Sequence, residues 1–315
     1  MKSYKSYLAN EDNFMRKLNK YGVCVIPNII PEDECIVLRN NMWKELKYIH
    51  KNRFDIDDEK TWNNFYDFLP LHSMLIQHFS IAHLQSVWDV RQHENVGNIF
   101  SKIWNTPKEE LLSSFDGISV NLPPEKTNRG WFLGNDWMHT DQAPNRKGLY
   151  CIQGLVNLYP VNEGDASLTV LEKSHKYHEE FFNYIDLHNN DNWYKLVDDQ
   201  KQWFIDKGCK QYCIQAPVGS LVLWDSRTIH QGIEAQKNRD HENFRMVVYT
   251  CLLPKENYSQ KIRDKRKIMF ENMRVTNHWG NKMFPKTPRT YGKELKEFNE
   301  PPKPVLTEYG KKLIS

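Results

Sequence analysis

Two residues in the middle of this chain have the types and spacing of a metal-ligand pair. His139 and Asp141 lie two positions apart, after an aromatic stretch and before the breakers Ala143 and Pro144. In an extended chain, residues two apart project to the same face, so an imidazole and a carboxylate arrive side by side, as two ligands of one ion must. Among 12 histidines, about one His-x-Asp sequence is expected by chance, so the pair alone indicates little.

A third candidate ligand, His230, strengthens this interpretation. It ends a strand-like run over residues 219–229 and is followed by Gln231 and Gly232. Two histidines and one carboxylate leave three faces of an octahedral ion open, which is the facial triad of non-haem Fe(II) oxygenases. A metal hydrolase could use the same three ligands. The sequence therefore predicts a metal site formed by His139, Asp141 and His230.

Arg245 is the candidate anion-binding residue beside that site. It begins the strand-like run 244–253 after a strongly polar segment, 234–243. If these two strands form a symmetric hairpin, His230 and Arg245 lie opposite each other with Cα atoms about 5 Å apart. A lone buried arginine normally meets an anion. We therefore expect Arg245 to point where His230 points and to bind an anion there.

Two other clusters could bind metal and are not favoured. His175, His178 and Glu179 could share one face of a helix, but their segment is wholly polar and opens a helical insert, so we expect it to be exposed to solvent. Cys209 and Cys213 have no second Cys or His pair at zinc-finger spacing. The six cysteines are scattered and are expected to be reduced.

The elements that must position these residues change in type near residue 117. Before it, the patterns predict helices over 11–21, from Pro31 to about 48, and near 76–88 and 93–104, with a strand at Val23–Ile26. After it, short strands are predicted at 118–122, 149–159, 167–171, 211–215, 220–225 and 244–253. The sequence predicts a mainly β fold with flanking helices (α+β), as a barrel or double sheet.

The chain is predicted to consist of one domain followed by a C-terminal extension. The domain spans 1–253, with its β core at about 117–253 and a helical insert at about 176–206. The extension, 254–315, is predicted to be a basic helix over 258–276 followed by irregular chain. If it lies peripheral to the metal site, its removal should leave metal binding largely intact. It carries 15 Lys and Arg against 7 Asp and Glu. This charge indicates either an anionic partner or a solvated helix on an acidic body.

Composition and the chain ends exclude several classes. Aromatic residues make up 13% of the chain, which is typical of a folded protein. No apolar stretch approaches the roughly 20 residues of a membrane span. The start has no apolar signal region and the end is not a peroxisomal tripeptide, so an intracellular, cytoplasmic protein is expected.

The four candidate residues, with 89 positions from Asp141 to His230 and 15 from His230 to Arg245, resemble the Fe(II)- and 2-oxoglutarate-dependent oxygenases. Within these, the chain resembles the phytanoyl-CoA dioxygenase family over about residues 9–253. The sequence segments that match the family lie at 137–141, 153–158, 167–175 and 219–230. Two departures are present: Glu172 and Lys173 replace the usual Pro-Gly before Ser-His, and an early strand tryptophan is replaced by Gln153 or Leu155.

The resemblance implies a double-stranded β-helix core, of the jelly-roll or cupin-like type, and a cofactor set. Fe(II) would be held by His139, Asp141 and His230, and Arg245 would anchor the far carboxylate of 2-oxoglutarate, with ascorbate in a supporting role. The implied reaction is hydroxylation of a small-molecule or acyl substrate by O2, with release of succinate and CO2. Retention of Asp141 favours hydroxylation over halogenation.

Four further residues are candidates for the pocket. Gln153 and Asn157 share one face of an apolar strand and are predicted to contact the cosubstrate, although satisfied core amides are the alternative. Trp131 and Trp137 are predicted to line the substrate-binding part of the pocket.

An alternative of a different class stays open. The chain could be a non-catalytic, metal-containing protein that binds nucleic acid or another anion through its basic extension. Such a protein is expected to lose a ligand or the arginine, and none is lost here. A hydrolase would not need Arg245. The sequence leaves the substrate open among acyl-CoA, small metabolites and macromolecular side groups.

Overall fold

The computed structural model describes residues 4–68, 75–237, 239–290 and 292–315. Its helices are α1 Phe14–Tyr21, α2 Glu32–Ile49, α3 Gln85–Arg91, α4 Glu94–Trp104, α5 Pro124–Thr127, α6 His178–Tyr184, α7 Asp198–Asp206, α8 Gln260–Glu271 and α9 Glu308–Lys312. Its strands are β1 Val23–Ile26, β2 Leu75–Ile76, β3 Leu111–Ser113, β4 Ile118–Asn121, β5 His139–Thr140, β6 Ile152–Asn157, β7 Ser167–Glu172, β8 Tyr194–Lys195, β9 Lys210–Cys213, β10 Leu221–Asp225, β11 His230–Ile233, β12 Arg245–Thr250 and β13 Leu252–Pro254.

A six-stranded antiparallel sheet in the order β1-β10-β6-β12-β4-β2 lies between helices α1 to α4 and the site. Its strands alternate side chains between two buried faces, as the period of two requires. On β12, Met246 and Val248 join the core formed with α1 to α4, whereas Val247 faces the second sheet. The sheet is therefore apolar on both faces, and the helices cover only one of them.

A five-stranded antiparallel sheet, β8-β5-β11-β7-β9, forms the other layer. Leu168 and Val170 of its β7 pack with Leu155 and Trp224 of the six-stranded sheet in one apolar cluster. The two sheets thus share an interior, as in a jelly roll. The predicted mainly β architecture with flanking helices, a double-stranded β-helix, is confirmed.

Most long elements lie where the sequence patterns predicted them. Helix α1 ends at Gly22, whose φ of 82° and N–H bond to the Leu18 carbonyl oxygen (2.7 Å) form a left-handed cap. A Cβ there would lie 2.6 Å from both His175 Nδ1 and Thr228 Oγ1. The helical segment predicted near 76–88 is present as a 3₁₀ turn at Ile81–His83 and the start of α3 at Gln85, but residues 75–76 form strand β2 instead.

The C-terminal extension is part of the core. Arg266 of α8 is buried and donates hydrogen bonds to the carbonyl oxygens of Ile314 (2.8 Å), Gly280 (2.5 Å) and Ser113 (2.5 Å). Met269, Tyr309 and Leu313 pack into the apolar core beneath the six-stranded sheet. The extension is therefore not peripheral, so the condition for its removal to spare metal binding is not met, and the domain boundary at residue 253 stays a prediction. Within the described residues, no helix is long and apolar enough to span a membrane.

Candidate metal centre

The three predicted ligands converge at one end of the five-stranded sheet. His139 of β5 and His230 of β11 are paired across the two strands, and their ring centroids are 4.4 Å apart. Asp141 follows β5, and its Oδ2 lies 3.2 Å from His230 Nε2 and 3.7 Å from His139 Nε2. One potential ligand atom from each residue lies within 4.8 Å of the others, and all three residues are buried. This donor set could hold a metal ion.

Backbone carbonyls orient both imidazoles. His230 Nδ1 donates to the Thr228 carbonyl oxygen at 2.8 Å, and His139 Nδ1 donates to that of Trp137 at 3.1 Å. In a neutral imidazole the other nitrogen then carries the lone pair. Each Nε2 is therefore free to bind a metal on the side where Asp141 lies. Burial, with His139 alongside, lowers the pKa of His230 and so favours that neutral form.

Asp141 is held as a carboxylate. Burial alone would raise its pKa, but the neighbouring imidazoles of His278, His139 and His230 keep the pKa well below the usual value. Its Oδ2 accepts a hydrogen bond from Gln153 Nε2 at 2.9 Å, and its backbone N–H donates to the Ser226 carbonyl oxygen at 3.1 Å. The residue is therefore anionic and fixed at both its backbone and its side chain.

Arg245 reaches the site by a different route from the one the sequence suggested. The predicted hairpin pairing of His230 with Arg245 is wrong, because β11 and β12 belong to different sheets. Arg245 pairs with Asn121 of β4, and both Arg245 and His230 line the cavity between the sheets. The hairpin argument failed because the polar link 234–243 crosses from one sheet to the other, as jelly-roll connections do.

Arg245 is 6% exposed, and its guanidinium is poorly satisfied. Its Nη1 donates to Ser119 Oγ at 2.5 Å, and its Nε has no hydrogen-bond partner. Among the described residues it forms no ion pair with a carboxylate. Since a buried guanidinium is costly without an anion, this group is arranged to receive an anionic ligand.

The cavity between the sheets has a volume of about 940 Å³, which is large enough for a cosubstrate and a small substrate. Its described lining comprises Leu75, Gln77, Asp116, Trp137, His139, Asp141, Gln153, Leu168, Asn190, Asp191, Asn192, Trp193, Lys195, Trp224, His230, Gly232, Arg245, Tyr249, Asn277, His278, Lys282 and Phe284. Both sheets, the insert and the C-terminal extension contribute to it.

The four further pocket candidates divide evenly between lining the cavity and lying outside it. Trp137 lines the cavity, stacks on His139 at 4.7 Å and donates from Nε1 to the Gly232 carbonyl oxygen. Gln153 also lines it, but bonds to Asp141. Trp131 lies beside Ala235, away from the lining.

Asn157 also falls outside the lining, and its predicted contact with the cosubstrate is not supported by its position. Its Nδ2 donates to the carbonyl oxygens of Tyr159 (2.6 Å) and Pro217 (2.8 Å). These bonds agree with the alternative interpretation of Asn157, in which it is a core amide whose hydrogen bonds are satisfied by the backbone.

Several lining residues were not predicted from the sequence. Trp193 and Lys195 come from the insert, and His278 comes from the extension. Lys195 pairs directly with His139 across β8 and β5, so the two side chains share a face. The His-Trp-Gly sequence at 278–280 was the only sequence signal for His278, because nothing local indicates that the extension returns to the cavity.

The second histidine cluster is structural. His175 and His178 were expected to be exposed, but they are 5% and 2% exposed. Their Nε2 atoms lie 3.1 and 3.0 Å from the carbonyl oxygens of Asn19 and Gln142. The polar sequence suggested exposure to solvent. The two imidazoles can nevertheless be buried, because backbone carbonyl groups distant in the sequence lie within hydrogen-bond distance of them. Across the described ranges, only His139, Asp141 and His230 form a potential metal cluster.

Comparison with known sequences identifies one family and a close curated relative. A family model described as phytanoyl-CoA dioxygenase (PhyH) matches residues 18–239. Ava biosynthesis cluster protein O of Aspergillus versicolor is 32% identical over 266 residues, which cover 78% of this chain and 82% of that protein. The matched region contains all three candidate ligands.

Solved structures with the same fold are more distant in sequence. A putative oxidoreductase from Salmonella typhimurium LT2 superposes with a TM-score of 0.62 at 12% identity, covering 98% of this chain and 85% of its own. The non-haem, α-ketoglutarate-dependent carbocyclase SnoK from nogalamycin biosynthesis gives 0.51 at 14% identity, covering 78% and 86%. At these identities the likeness concerns the fold.

Proposed function

The chain belongs to the phytanoyl-CoA dioxygenase family, and from this premise we propose that it is an Fe(II)- and 2-oxoglutarate-dependent oxygenase that hydroxylates a C–H bond of a small-molecule substrate. The observation that carries the proposal is the shared cavity: the three potential ligands and an arginine without an acidic partner among the described residues line one space. An Fe(II)/2-oxoglutarate enzyme is the class that uses both features.

The donor set fits Fe(II). Two neutral imidazoles and one carboxylate form the 2-His-1-carboxylate set, which leaves positions open for other ligands. Both Nδ1 atoms are occupied by backbone carbonyls, so the residues present His139 Nε2, His230 Nε2 and Asp141 Oδ2 toward a common point. Gln153 holds the carboxylate in place from the facing sheet.

Arg245 would bind the far carboxylate of 2-oxoglutarate. Its planar guanidinium can donate two parallel hydrogen bonds, and Ser119 holds one end of it. Val247, on the same face of β12, is fully buried in the apolar cluster between the sheets, so water competes weakly for the guanidinium. The cosubstrate would then extend from Arg245 toward the open side of the metal centre.

Aromatic side chains would shape the substrate side. Trp137 covers one face of His139, and Trp193, whose ring lies 5.7 Å from the same imidazole, remains half exposed at the cavity rim. These rings would exclude water near the metal and place an apolar part of the substrate beside it. When bound, Fe(II) and 2-oxoglutarate would supply the activation of O2, with succinate and CO2 as coproducts.

The binding-protein alternative finds no support in the charges of the extension. Its buried Arg266 bonds to backbone carbonyls. Several of its lysines pair with acids of the same extension, at 2.5 to 3.9 Å: Lys267, Lys286, Lys296, Lys303 and Lys311. These pairs remove equal numbers of both charges, so the extension keeps its excess of 15 Lys and Arg over 7 Asp and Glu, while the buried Arg266 is inaccessible to an external partner.

A metabolite screen tests the proposed reaction. The Fe(II)-loaded protein is incubated with 2-oxoglutarate, O2 and fractionated cell extract, and succinate and new masses are followed together. We expect one fraction to stimulate succinate formation and to yield a product that gains one oxygen atom. A product that instead loses two hydrogens would contradict hydroxylation, and absence of 2-oxoglutarate turnover with every fraction would contradict the oxygenase assignment.

A further inference from the structure

The extension places a short turn against the cavity, which we call the 276–283 turn. A bridge between Thr276 and Met283 closes it, and Asn277 N–H donates to the Lys282 carbonyl oxygen at 3.1 Å. Its base is fixed because Thr276 N–H donates to the Phe115 carbonyl oxygen at 2.7 Å. Three of its side chains, Asn277, His278 and Lys282, line the cavity.

The conformation of this turn depends on a buried arginine. Gly280 has a φ of 66°, and a Cβ on it would lie 2.6 Å from Arg266 Nη1. That guanidinium donates to the Gly280 carbonyl oxygen at 2.5 Å. The neighbouring Trp279 is anchored because Tyr258 Oη donates to its carbonyl oxygen at 2.7 Å. His278 is therefore held on a rigid turn rather than on a mobile tail.

His278 has an unsatisfied atom at the cavity. Its Nε2 is buried and has no hydrogen-bond partner. Buried polar atoms are almost always paired, so an unpaired one at a cavity wall indicates a group that a ligand satisfies. This atom is not one of the three potential metal ligands.

Lys282 brings a positive charge to the same wall. It is exposed, and within the described ranges it forms no ion pair, unlike the lysines of the extension that pair with acids. An imidazole and an ammonium on one turn form a donor pair suited to an anionic oxygen group. Asp116, on the same wall, accepts hydrogen bonds at its Oδ1 from Gln77 Nε2 (2.9 Å) and Gly117 N–H (2.7 Å).

We propose that the 276–283 turn is the substrate-recognition element, and that His278 and Lys282 bind a carboxylate of the substrate while its reacting carbon faces the metal centre. This inference rests on the proposed function. It assigns to the substrate a carboxylic acid group in addition to the apolar part placed by Trp137 and Trp193. The far carboxylate of 2-oxoglutarate is left to Arg245, which lies on β12 rather than on this turn.

The test uses the full chain loaded with Mn(II) and N-oxalylglycine, a non-reactive analogue of 2-oxoglutarate, so that the metal and cosubstrate positions are filled. A library of carboxylic acids, each matched with its primary carboxamide, is screened by ligand-observed NMR. The strongest acid is then titrated calorimetrically into wild type, His278→Ala, His278→Gln and Lys282→Ala. Lys261→Ala is the matched control, because Lys261 is exposed on α8 and does not line the cavity.

We expect acids to bind in preference to their carboxamides. His278→Ala and Lys282→Ala should each lower the affinity for the acid roughly tenfold or more. His278→Gln should restore part of the lost affinity, and Lys261→Ala should leave the affinity unchanged. The affinity for N-oxalylglycine should be unchanged in all variants.

Three results would overturn the inference while leaving the oxygenase assignment intact: no acid binds, carboxamides bind as well as acids, or both alanine variants bind the acid like wild type. A loss of N-oxalylglycine affinity in His278→Ala would also overturn it by assigning the turn to the cosubstrate. Failure of wild type to bind Mn(II) or N-oxalylglycine would instead contradict the proposed function.

Discussion

His139 and His230 face each other across two antiparallel strands, with ring centroids 4.4 Å apart. This pairing makes a metal site from residues that are distant in the sequence. Asp141 needs only the two-residue step from His139 to reach both imidazoles. The site is therefore a property of strand register, and a slip by one residue would turn His230 away from His139.

Metal binding should require both histidines. We expect the wild-type chain to bind one Fe(II), or Mn(II) in its place, and His139→Ala and His230→Ala each to lose most of this binding because two ligands remain. Metal content after dialysis, measured by mass spectrometry, reports the result. His188→Ala is the control, since its side chain is 56% exposed beside Asp186. Unchanged metal content in both ligand variants would contradict the assignment of the centre.

Asn157→Ala should affect stability and spare the cosubstrate. The Asn157 amide donates hydrogen bonds to the carbonyl oxygens of Tyr159 and Pro217. The loss of these two bonds leaves buried acceptors unpaired. We expect the free energy of unfolding to fall by about 1–3 kcal/mol, as measured by urea denaturation. The affinity for 2-oxoglutarate should stay within a factor of two. A large loss of that affinity with stability unchanged would restore Asn157 to the pocket.

The sequence predicted the ligands better than their arrangement. Ligand type and two-residue spacing are local, so His139 and Asp141 could be paired from the sequence, and the strand before His230 was visible as an apolar run. Which sheet β12 joins is not local, and the hairpin assumption therefore gave Arg245 the wrong strand partner, although Arg245 does line the same cavity as His230. His278 was missed for the same reason, because its place depends on Arg266 reaching the carbonyl oxygens of Ser113 and Ile314.

Acid should destabilise the fold through its buried neutral histidines. Burial lowers the pKa of His83 to about 3, and its Nε2 donates to the Arg274 carbonyl oxygen while Nδ1 accepts from Trp88. Below about pH 6.5 the unfolded chain binds a proton that the folded chain does not, so stability falls as pH decreases toward 3. This one group contributes a slope of at most about 1.4 kcal/mol per pH unit.

The variant His83→Gln isolates that contribution, since glutamine can bond to the same carbonyl without titrating. Unfolding free energies at pH 7.5 and 5 should differ less in the variant than in wild type, whatever its absolute stability. Equal pH slopes would show that His83 is not the neutral buried group described here. Other buried histidines, such as His50 with its pKa lowered by burial to about 4, should retain their own share of the slope.

Arg266 should couple the extension to the rest of the fold. Arg266→Ala leaves the carbonyl oxygens of Gly280, Ser113 and Ile314 without their buried donor. We expect a loss of about 3 kcal/mol or more in unfolding free energy. Lys267→Ala, on the same helix and 61% exposed, should change it by less than about 0.5 kcal/mol. Similar stabilities for the two variants would contradict the packing of α8.

The role of Arg245 separates an oxygenase from other users of the same ligands. Lysine keeps the charge but not the planar pair of donors. Arg245→Lys should therefore weaken the binding of 2-oxoglutarate. Arg245→Ala should weaken this binding further, by about 2–4 kcal/mol or roughly 30- to 1000-fold in affinity. Iron binding should persist in both, because Arg245 is not among the three ligands. Arg129→Ala, at an exposed arginine outside the cavity, is the control.

Anaerobic titration of the Fe(II)-loaded chain with 2-oxoglutarate, followed by visible absorption, tests the central claim most directly. We predict that wild type develops the charge-transfer band of a 2-oxoglutarate chelate, and that Arg245→Ala reaches the same band only at much higher concentration. A wild-type chain that binds Fe(II) but develops no band, or an Arg245→Ala variant that titrates like wild type, would contradict the account.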